Sequence, residues 1–340
     1  MTTPEPPLVS ATALPPGFDD PGIPRIPVEP VESCVVCGSR EWNPFAEGYD
    51  YDLRTCRNRW HFVACALCDH VRLHPRPRTD TLGIIHPATP PGQASPLARR
   101  ISRWLDQRSF KHLRRHLITP PESYLDASIG NGRWLDLMAA QGVKPGRILG
   151  LEPDPGSAES LRGKGYQIFD EPADRCSGIP AASIELVTLR HGVGQVERPD
   201  LIIRRLSQWL APGGVLALVT PSLDSWDARL FRERYWGGYQ MPRNWHLFTP
   251  DTLTKLVTAA GLDLVAIHYQ PNPGAWLRSL HHRLRYGASP HPPLAAVLDP
   301  PERSGLAYSA ATLLDLVRAG LHSATSAMLL IARKPGSRPD

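Results

Sequence analysis

The sequence predicts an α/β protein, a parallel sheet covered by helices on both faces, with a small cysteine-rich module in front of it. Three features lead there. From Glu122 onward short apolar runs alternate with helical stretches in the βαβ manner. Two Cys-x-x-Cys pairs lie near the N-terminus. A glycine-rich turn falls where the first strand should pass into the first helix. At 340 residues and 41% apolar, the chain can bury the core of one large domain and carry small attachments.

Residues 1–30 hold nine prolines and few large apolar groups. Burial cannot offset the entropy of ordering them, so a disordered leader is expected. Over 31–78 the composition turns to Cys, aromatic residues and Arg, which marks the module. Cys34-Val-Val-Cys37 and Cys65-Ala-Leu-Cys68 are separated by 27 residues. Each pair lets two thiolates reach one ion from a single turn, and two turns complete a tetrahedron, the pattern of a structural zinc ribbon. His61 and His70 are further ligand types nearby, but four cysteines already close the site and leave no position open for catalysis. Cys56 and Cys176 are left over as small buried hydrophobes.

Residues 79–120 read as a Pro-rich linker, to about 96, and a basic helix over 97–117. Ile101, Trp104 and Leu105 lie on one side of that helix. It carries seven cations between Arg99 and Arg115 against Asp106. No RNA-binding signature accompanies them, so a solvated face is expected and nucleic acid is not an expected partner. The domain over 121–335 has strands at 123–127, 147–152, 166–169, 184–189, 214–220, 263–269 and 327–333. Helices fall at 131–142, 156–164, 199–210 and 250–260, the last opened by Thr249-Pro250-Asp251. Two insertions, 221–248 and 271–326, the latter with a helical run at 309–322, are long enough to be assigned to substrate recognition.

Lys and Arg number 38 against 33 Asp and Glu, a net +5, and only five of the cations are Lys. No apolar run approaches the roughly 18 residues of a membrane span, and the N-terminus has no apolar signal core, so a cytoplasmic chain with no membrane span is expected.

The segment Asp126-Ala-Ser128-Ile-Gly130-Asn-Gly132 brings backbone N–H groups toward a ligand, since residues without Cβ permit close approach. Glu152, 26 residues after Asp126, ends the second strand where it can accept both hydroxyls of a ribose. Together they mark a site for a nucleoside-bearing cofactor.

The ordered set of four-cysteine ribbon, Asp126–Gly132, Gly150-Leu-Glu-Pro-Asp-Pro, Leu210-Ala-Pro-Gly-Gly, Pro242-Arg-Asn-Trp-His-Leu-Phe-Thr-Pro and Leu330-Ile-Ala-Arg-Lys-Pro resembles the zinc-ribbon-containing class I S-adenosylmethionine-dependent methyltransferases over about residues 33–335. The resemblance implies a Rossmann-like seven-stranded sheet, S-adenosyl-L-methionine over the strand ends and a small-molecule acceptor such as a sugar or specialised metabolite. Asp126, Ser128, Gly130 and Gly132 would line the methionine part, Glu152 the ribose and Asp174 the adenine edge. Cys34, Cys37, Cys65 and Cys68 would hold Zn2+.

This chain departs from the family pattern at three places. Ser128 stands where a third glycine is usual, Gly194-Gln195 where Glu-His is usual, and Asn244 where a histidine is usual. His191 and His246 are the replacement proton carriers, hence the candidate catalytic residues. Arg243, with Tyr239 and Trp245, is the candidate substrate-binding set, and an arginine there favours an anionic acceptor. Two alternatives follow from the departures: a binding or scaffold partner without catalysis, and a nonmethylating enzyme using the same cleft.

Overall fold

The computed structural model describes residues 14–87, 94–130, 132–321 and 323–336. In the N-terminal module, β1 (Val28–Glu29) pairs antiparallel with β5 (Arg76–Pro77). Between them β2 (Trp42–Gly48), β3 (Trp60–Cys65) and β4 (Val71–Leu73) form an antiparallel meander. A short helix, α1 (Leu82–Ile85), leads on to α2 (Pro96–Arg114), where the Ser95 side chain accepts from the Ala98 N–H and Pro96 occupies the first turn.

The main domain runs β6 (Tyr124–Asp126), α3 (Arg133–Ala140), β7 (Ile148–Leu151), α4 (Pro155–Arg162), β8 (Gln167–Phe169), β9 (Ile184–Arg190), α5 (Pro199–Trp209) and β10 (Leu210–Pro221). It continues with α6 (Trp226–Leu230), β11 (His246–Leu247), α7 (Pro250–Ala259), β12 (Asp263–Gln270), α8 (Pro273–Tyr286), α9 (Pro292–Val297), α10 (Gly305–Gly320) and β13 (Ala327–Arg333). Seven strands form one sheet in the order β12-β13-β10-β9-β6-β7-β8, with β13 alone antiparallel to its neighbours. This is the class I methyltransferase arrangement, and all seven strands fall where periodicity put them. β9, β10 and β13 are near-continuous apolar runs because helices cover both faces. One face packs on Leu206, Trp209 and Leu253, the other on Phe110, Leu113, Trp134 and Met138. Among the described residues, no helix is long and apolar enough to cross a membrane.

Three expectations need correction. The leader is ordered from residue 14: Phe18 is fully buried against Tyr49, Tyr51 and Tyr286, and Ile26 is buried too. Residues 1–13 lie outside the described residues. The linker begins as structure, since Thr81 and Ile85 are buried in the α1 turn, while 88–93 lie outside the described residues. Finally, the ribbon is not confined to 31–78. Strand β11, from the 221–248 insertion, adds to β4 with His246 opposite Arg72, giving a four-stranded sheet β11-β4-β3-β2. The two segments share one core of Trp60, Phe62, Trp236, Tyr239 and Trp245.

Candidate functional site

The two cysteine turns are built alike. Gly38 N–H donates to the Cys34 carbonyl at 2.8 Å and Asp69 N–H to the Cys65 carbonyl at 3.0 Å. Cys34 N–H donates to the Ser39 carbonyl and Cys65 N–H to that of His70. Gly38 and Asp69 both have left-handed backbones, φ 77° and 60°, which is why a glycine serves the first turn and a short polar residue the second. The turns face each other with Sγ atoms 3.6 Å apart (Cys34, Cys68) and 3.5 Å apart (Cys37, Cys65), all four within 4.8 Å. A tetrahedral ion with bonds of about 2.3 Å to sulfur requires edges of about 3.8 Å. The cluster therefore fits a four-thiolate metal site.

At the carboxyl edge of the sheet, β6 ends on Asp126, which is fully buried. Its Oδ1 accepts from the Ser128 N–H at 3.2 Å, and Oδ2 is left without a well-formed hydrogen bond. Burial pushes its pKa up to about 6, against the pull of Arg190. Gly130 and Gly132 carry φ 59° and 71° and turn the chain into α3. A Cβ on Gly130 would meet nothing within 4 Å, so that side of the turn is open. Glu152 follows β7, half-buried. One oxygen accepts from the Asp154 N–H at 3.0 Å, and desolvation raises its pKa. Asp174 lies on an exposed loop after β8 and pairs loosely with Arg175. An orphaned carboxylate oxygen, an open glycine turn and an acid at the next strand end suit a nucleoside cofactor bearing an ammonium group.

His191 directly follows β9, with φ 61°. Its ring has no hydrogen-bond partner among the described residues, and it lines a cavity of about 220 Å³ together with Asn244, Asn272, Arg278, Glu302 and Tyr308. Solvent reaches the ring through the cavity, yet the surrounding protein desolvates its charged form. With Arg190 and Arg278 adding to that, the pKa is pushed down to about 4. Next to it, a Cβ on Gly192 would lie 3.2 Å from Ser128 Oγ. The serine that replaces the usual third glycine thus packs on a glycine one strand over, and the cofactor-type turn and the cavity meet at His191-Gly192.

The other candidates belong to the ribbon side. Arg243 is not aimed at the cavity: it is buried, and its NH2 donates to Asp50 at 2.9 Å and Asp52 at 3.3 Å. Asp52, from the loop between β2 and β3, also meets His282 at 3.1 Å and Arg278 at 3.7 Å. Burial alone would raise its pKa, but His282, Arg278 and Arg243 hold it well below the usual carboxylate range. Tyr239 is buried against Phe62 and donates to the Arg232 carbonyl, and Trp245 is buried with its Nε1 donating to the Pro242 carbonyl at 3.0 Å. His246 is buried as well, its Nδ1 3.0 Å from His70 Nε2 and its Nε2 3.3 Å from the Glu197 carbonyl. None of these four lines the cavity. The aromatic and Arg richness of 221–248 is spent on docking the ribbon.

The neutral residues at the landmark positions also have a physical reason. The Gly194 carbonyl accepts from both the Trp245 and His246 N–H groups, at 2.6 and 2.9 Å. A Cβ on Gly194 would lie 2.6 Å from the His246 carbonyl oxygen, so no side chain fits there. Asn244 donates to the Gly238 carbonyl at 2.9 Å. The sequence reading missed Asn272, Arg278, Glu302 and Tyr308. The missed signal was Pro273, which starts α8 rather than breaking a helix, with Leu277 and His281 one turn apart on its buried face.

A model described as a methyltransferase domain matches residues 95–267, just over half of the 340. The chain belongs to that family. The methyltransferase-domain match covers α2 and β6 through most of β12, and leaves the ribbon, α8, α10 and β13 outside it. No curated protein matches significantly. Solved structures similar to this methyltransferase-domain chain include a SAM-dependent methyltransferase from Thermotoga maritima, possible histamine N-methyltransferase, at 14% identity and TM-score 0.43, covering 70% of this chain and 91% of that one. Another is an S-adenosylmethionine dependent methyltransferase from Mesorhizobium loti, at 15% and 0.43, covering 68% and 100%. A third is the 1,6-didemethyltoxoflavin-N1-methyltransferase of Burkholderia thailandensis, at 15% and 0.42, covering 70% and 87%.

Proposed function

We propose that this methyltransferase-domain protein moves a methyl group from S-adenosyl-L-methionine to a small polar acceptor held in the 220 Å³ cavity. The observation that carries the reading is the junction at His191-Gly192, where the glycine-rich turn and the cavity share a wall. When bound, the cofactor supplies an electrophilic methyl on a sulfonium. Asp126 and the open Gly130 face would receive its methionine part, with Ser128 and Gly132 shaping the turn, Glu152 its ribose and Asp174 its adenine edge. The zinc ribbon, Zn2+ on Cys34, Cys37, Cys65 and Cys68, serves as structure.

The cavity residues align the acceptor and exclude water, which supplies most of what an in-line displacement asks of a protein. His191, with its pKa near 4, is neutral at physiological pH and too weak a base to retain a proton. It orients the acceptor as a hydrogen-bond acceptor. The acceptor class that fits is one already nucleophilic at neutral pH, a carboxylate, a thiol or a neutral amine. Arg278, whose nearest carboxylates stand 3.7 and 3.8 Å away, is the cation available to an anionic acceptor.

Titration calorimetry with S-adenosylhomocysteine tests the cofactor half. Binding near micromolar, about −8 kcal/mol, is expected to weaken at least tenfold in Glu152→Ala, while the melting temperature of the variant stays put. Absent binding by folded, metal-replete protein would instead favour a scaffold role, for which the neutral Gly194-Gln195 and Asn244 are the supporting observation.

A further inference from the structure

Helices α2 and α10 pack together through Ala98 on one and Tyr308 and Ala311 on the other, and Ser102 Oγ meets the Tyr308 hydroxyl at 3.1 Å. Along that seam runs a groove of about 350 Å³, lined by Leu97, Ile101 and Trp104 of α2 and by Thr312, Leu313 and Leu316 of α10. The outer side of α10 extends it as an apolar stripe, with Leu306, Leu313 and Val317 81%, 62% and 53% exposed. Contiguous exposed apolar surface of this kind marks an interaction site.

The groove has a charged edge. Arg100, Arg108 and Lys111 fall on the same side of α2 as Leu97 and Trp104, at steps of three and four residues. Arg100 lines the groove itself, and Arg108 lies over the Trp104 ring at 5.9 Å. Asp106, the one acid of this helix, is committed elsewhere: it accepts from Trp134 Nε1 at 3.0 Å and pairs with Arg133 and Arg190 at 3.0 and 3.1 Å. Among the described residues no carboxylate pairs with Arg100, Arg108 or Lys111.

We infer that this groove docks an amphipathic helix of a second protein, one whose apolar face is flanked by Glu and Asp. Two helices side by side leave a trough for a third rod of about 10 Å diameter, whose anchors at i, i+3, i+4 and i+7 enter it. The charge selects the partner, because acids along one edge of the incoming helix meet Arg100 and Lys111. A second copy of this chain, paired about a two-fold axis, would bring the same cations together across one interface. Residues 1–13 of this chain supply a single acid, Glu5. A nucleic acid would use the cations and leave the apolar stripe uncovered, and a bilayer would meet a concave apolar surface where a protruding one is needed.

The position gives the docking a consequence. α10 carries Tyr308 in the wall of the 220 Å³ cavity, and the Ser95 N–H, at the cap of α2, donates to the Glu302 carbonyl at 2.9 Å. A docked helix bears on the two elements that hold these cavity residues, whichever reaction the cavity serves.

The test uses the full, metal-replete chain and two labelled helical peptides of about 18 residues, or five turns, with the same leucine stripe flanked by Glu in one and by Lys in the other. Fluorescence anisotropy should show the Glu peptide binding at least tenfold more tightly than the Lys peptide, by a margin that shrinks as salt is raised. Leu313→Glu should weaken the Glu peptide at least tenfold, and Arg100→Glu combined with Lys111→Glu should abolish the preference. All three side chains are exposed, so the melting temperature of the variants should stay put. Equal binding of the two peptides, or binding that Leu313→Glu leaves intact, overturns the proposal. So does attachment to vesicles of equal parts phosphatidylserine and phosphatidylcholine that the Glu peptide fails to displace, which would assign the groove to a membrane. A dimer in sedimentation that Leu313→Glu dissolves would overturn it in favour of a second copy.

Discussion

On the ribbon side of the cavity Arg243 lies between Asp50 and Asp52, and His246 between His70 and the Glu197 carbonyl. On the sheet side Asp126 keeps an oxygen without a well-formed hydrogen bond and the His191 ring has no hydrogen-bond partner among the described residues. Both sides hold titratable side chains of the kinds that enzymes use. What separates them is commitment: one set is consumed in holding two segments of chain together, and the other retains capacity for a ligand. Residue type alone cannot make that distinction, because it depends on which partners the fold brings.

The contrast is most strongly tested at the four-cysteine cluster and the structural metal proposed for it. Removing it with a chelator, or replacing Cys37 by Ser, is expected to unfold the ribbon together with the 221–248 segment, since structural zinc in small modules is worth on the order of 10 kcal/mol. Near-UV circular dichroism from the buried Trp60, Trp236 and Trp245 should report it. If S-adenosylhomocysteine still binds afterwards the two sides are separable, and if it does not, the sheet side depends on the ribbon.

A smaller effect is expected at Arg243. Arg243→Ala leaves Asp50, which is fully buried, with its main cation gone, and should cost about 3–5 kcal/mol in urea unfolding. Cofactor affinity should not change in variant protein that remains folded. A loss of affinity would mean that Arg243 reaches the ligand after all.

The third test is pH. Burial first, then Arg76 and Arg72, push His246 down to about 4 in the folded chain, against about 6.5 when unfolded. The unfolded state therefore binds the proton first on acidification. Stability is present in full above about pH 6.5 and is lost as pH falls toward 4, on the order of 3 kcal/mol from this residue. Melting curves of the parent and His246→Asn across that window should converge at low pH. Parallel curves would show that His246 is not held neutral.

The sheet was legible because each of its strands carries its own signal: Ile184–Arg190 and Ala327–Arg333 are mostly apolar and mostly buried. The cysteine turns were legible because their spacing is local. The cavity beside His191 was not. Arg278, Glu302 and Tyr308 acquire meaning only when α8 and α10 fold over the strand ends. Arg243 and Trp245 misled because an Arg-aromatic loop reads alike whether it faces a ligand or a second module. Ser128 departs from the family's glycine pattern, and the Gly192 it packs on sits 64 positions away, visible only once β6 and β9 are side by side.

Strand β11 has a consequence for synthesis. The edge of β4 that it covers, at residues 71–73, leaves the ribosome about 170 residues before residues 246–247 do. At about 5–20 residues per second that is an interval on the order of ten to thirty seconds. During it the cysteine turns can already hold an ion, yet the sheet has an open edge, and Phe62 has not yet met Tyr239. An unpaired edge next to bare aromatic surface is a site for joining another chain. A fragment ending near residue 78 should therefore take up zinc and then self-associate, and the full chain should depend on holding that edge apart until its own distant strand arrives.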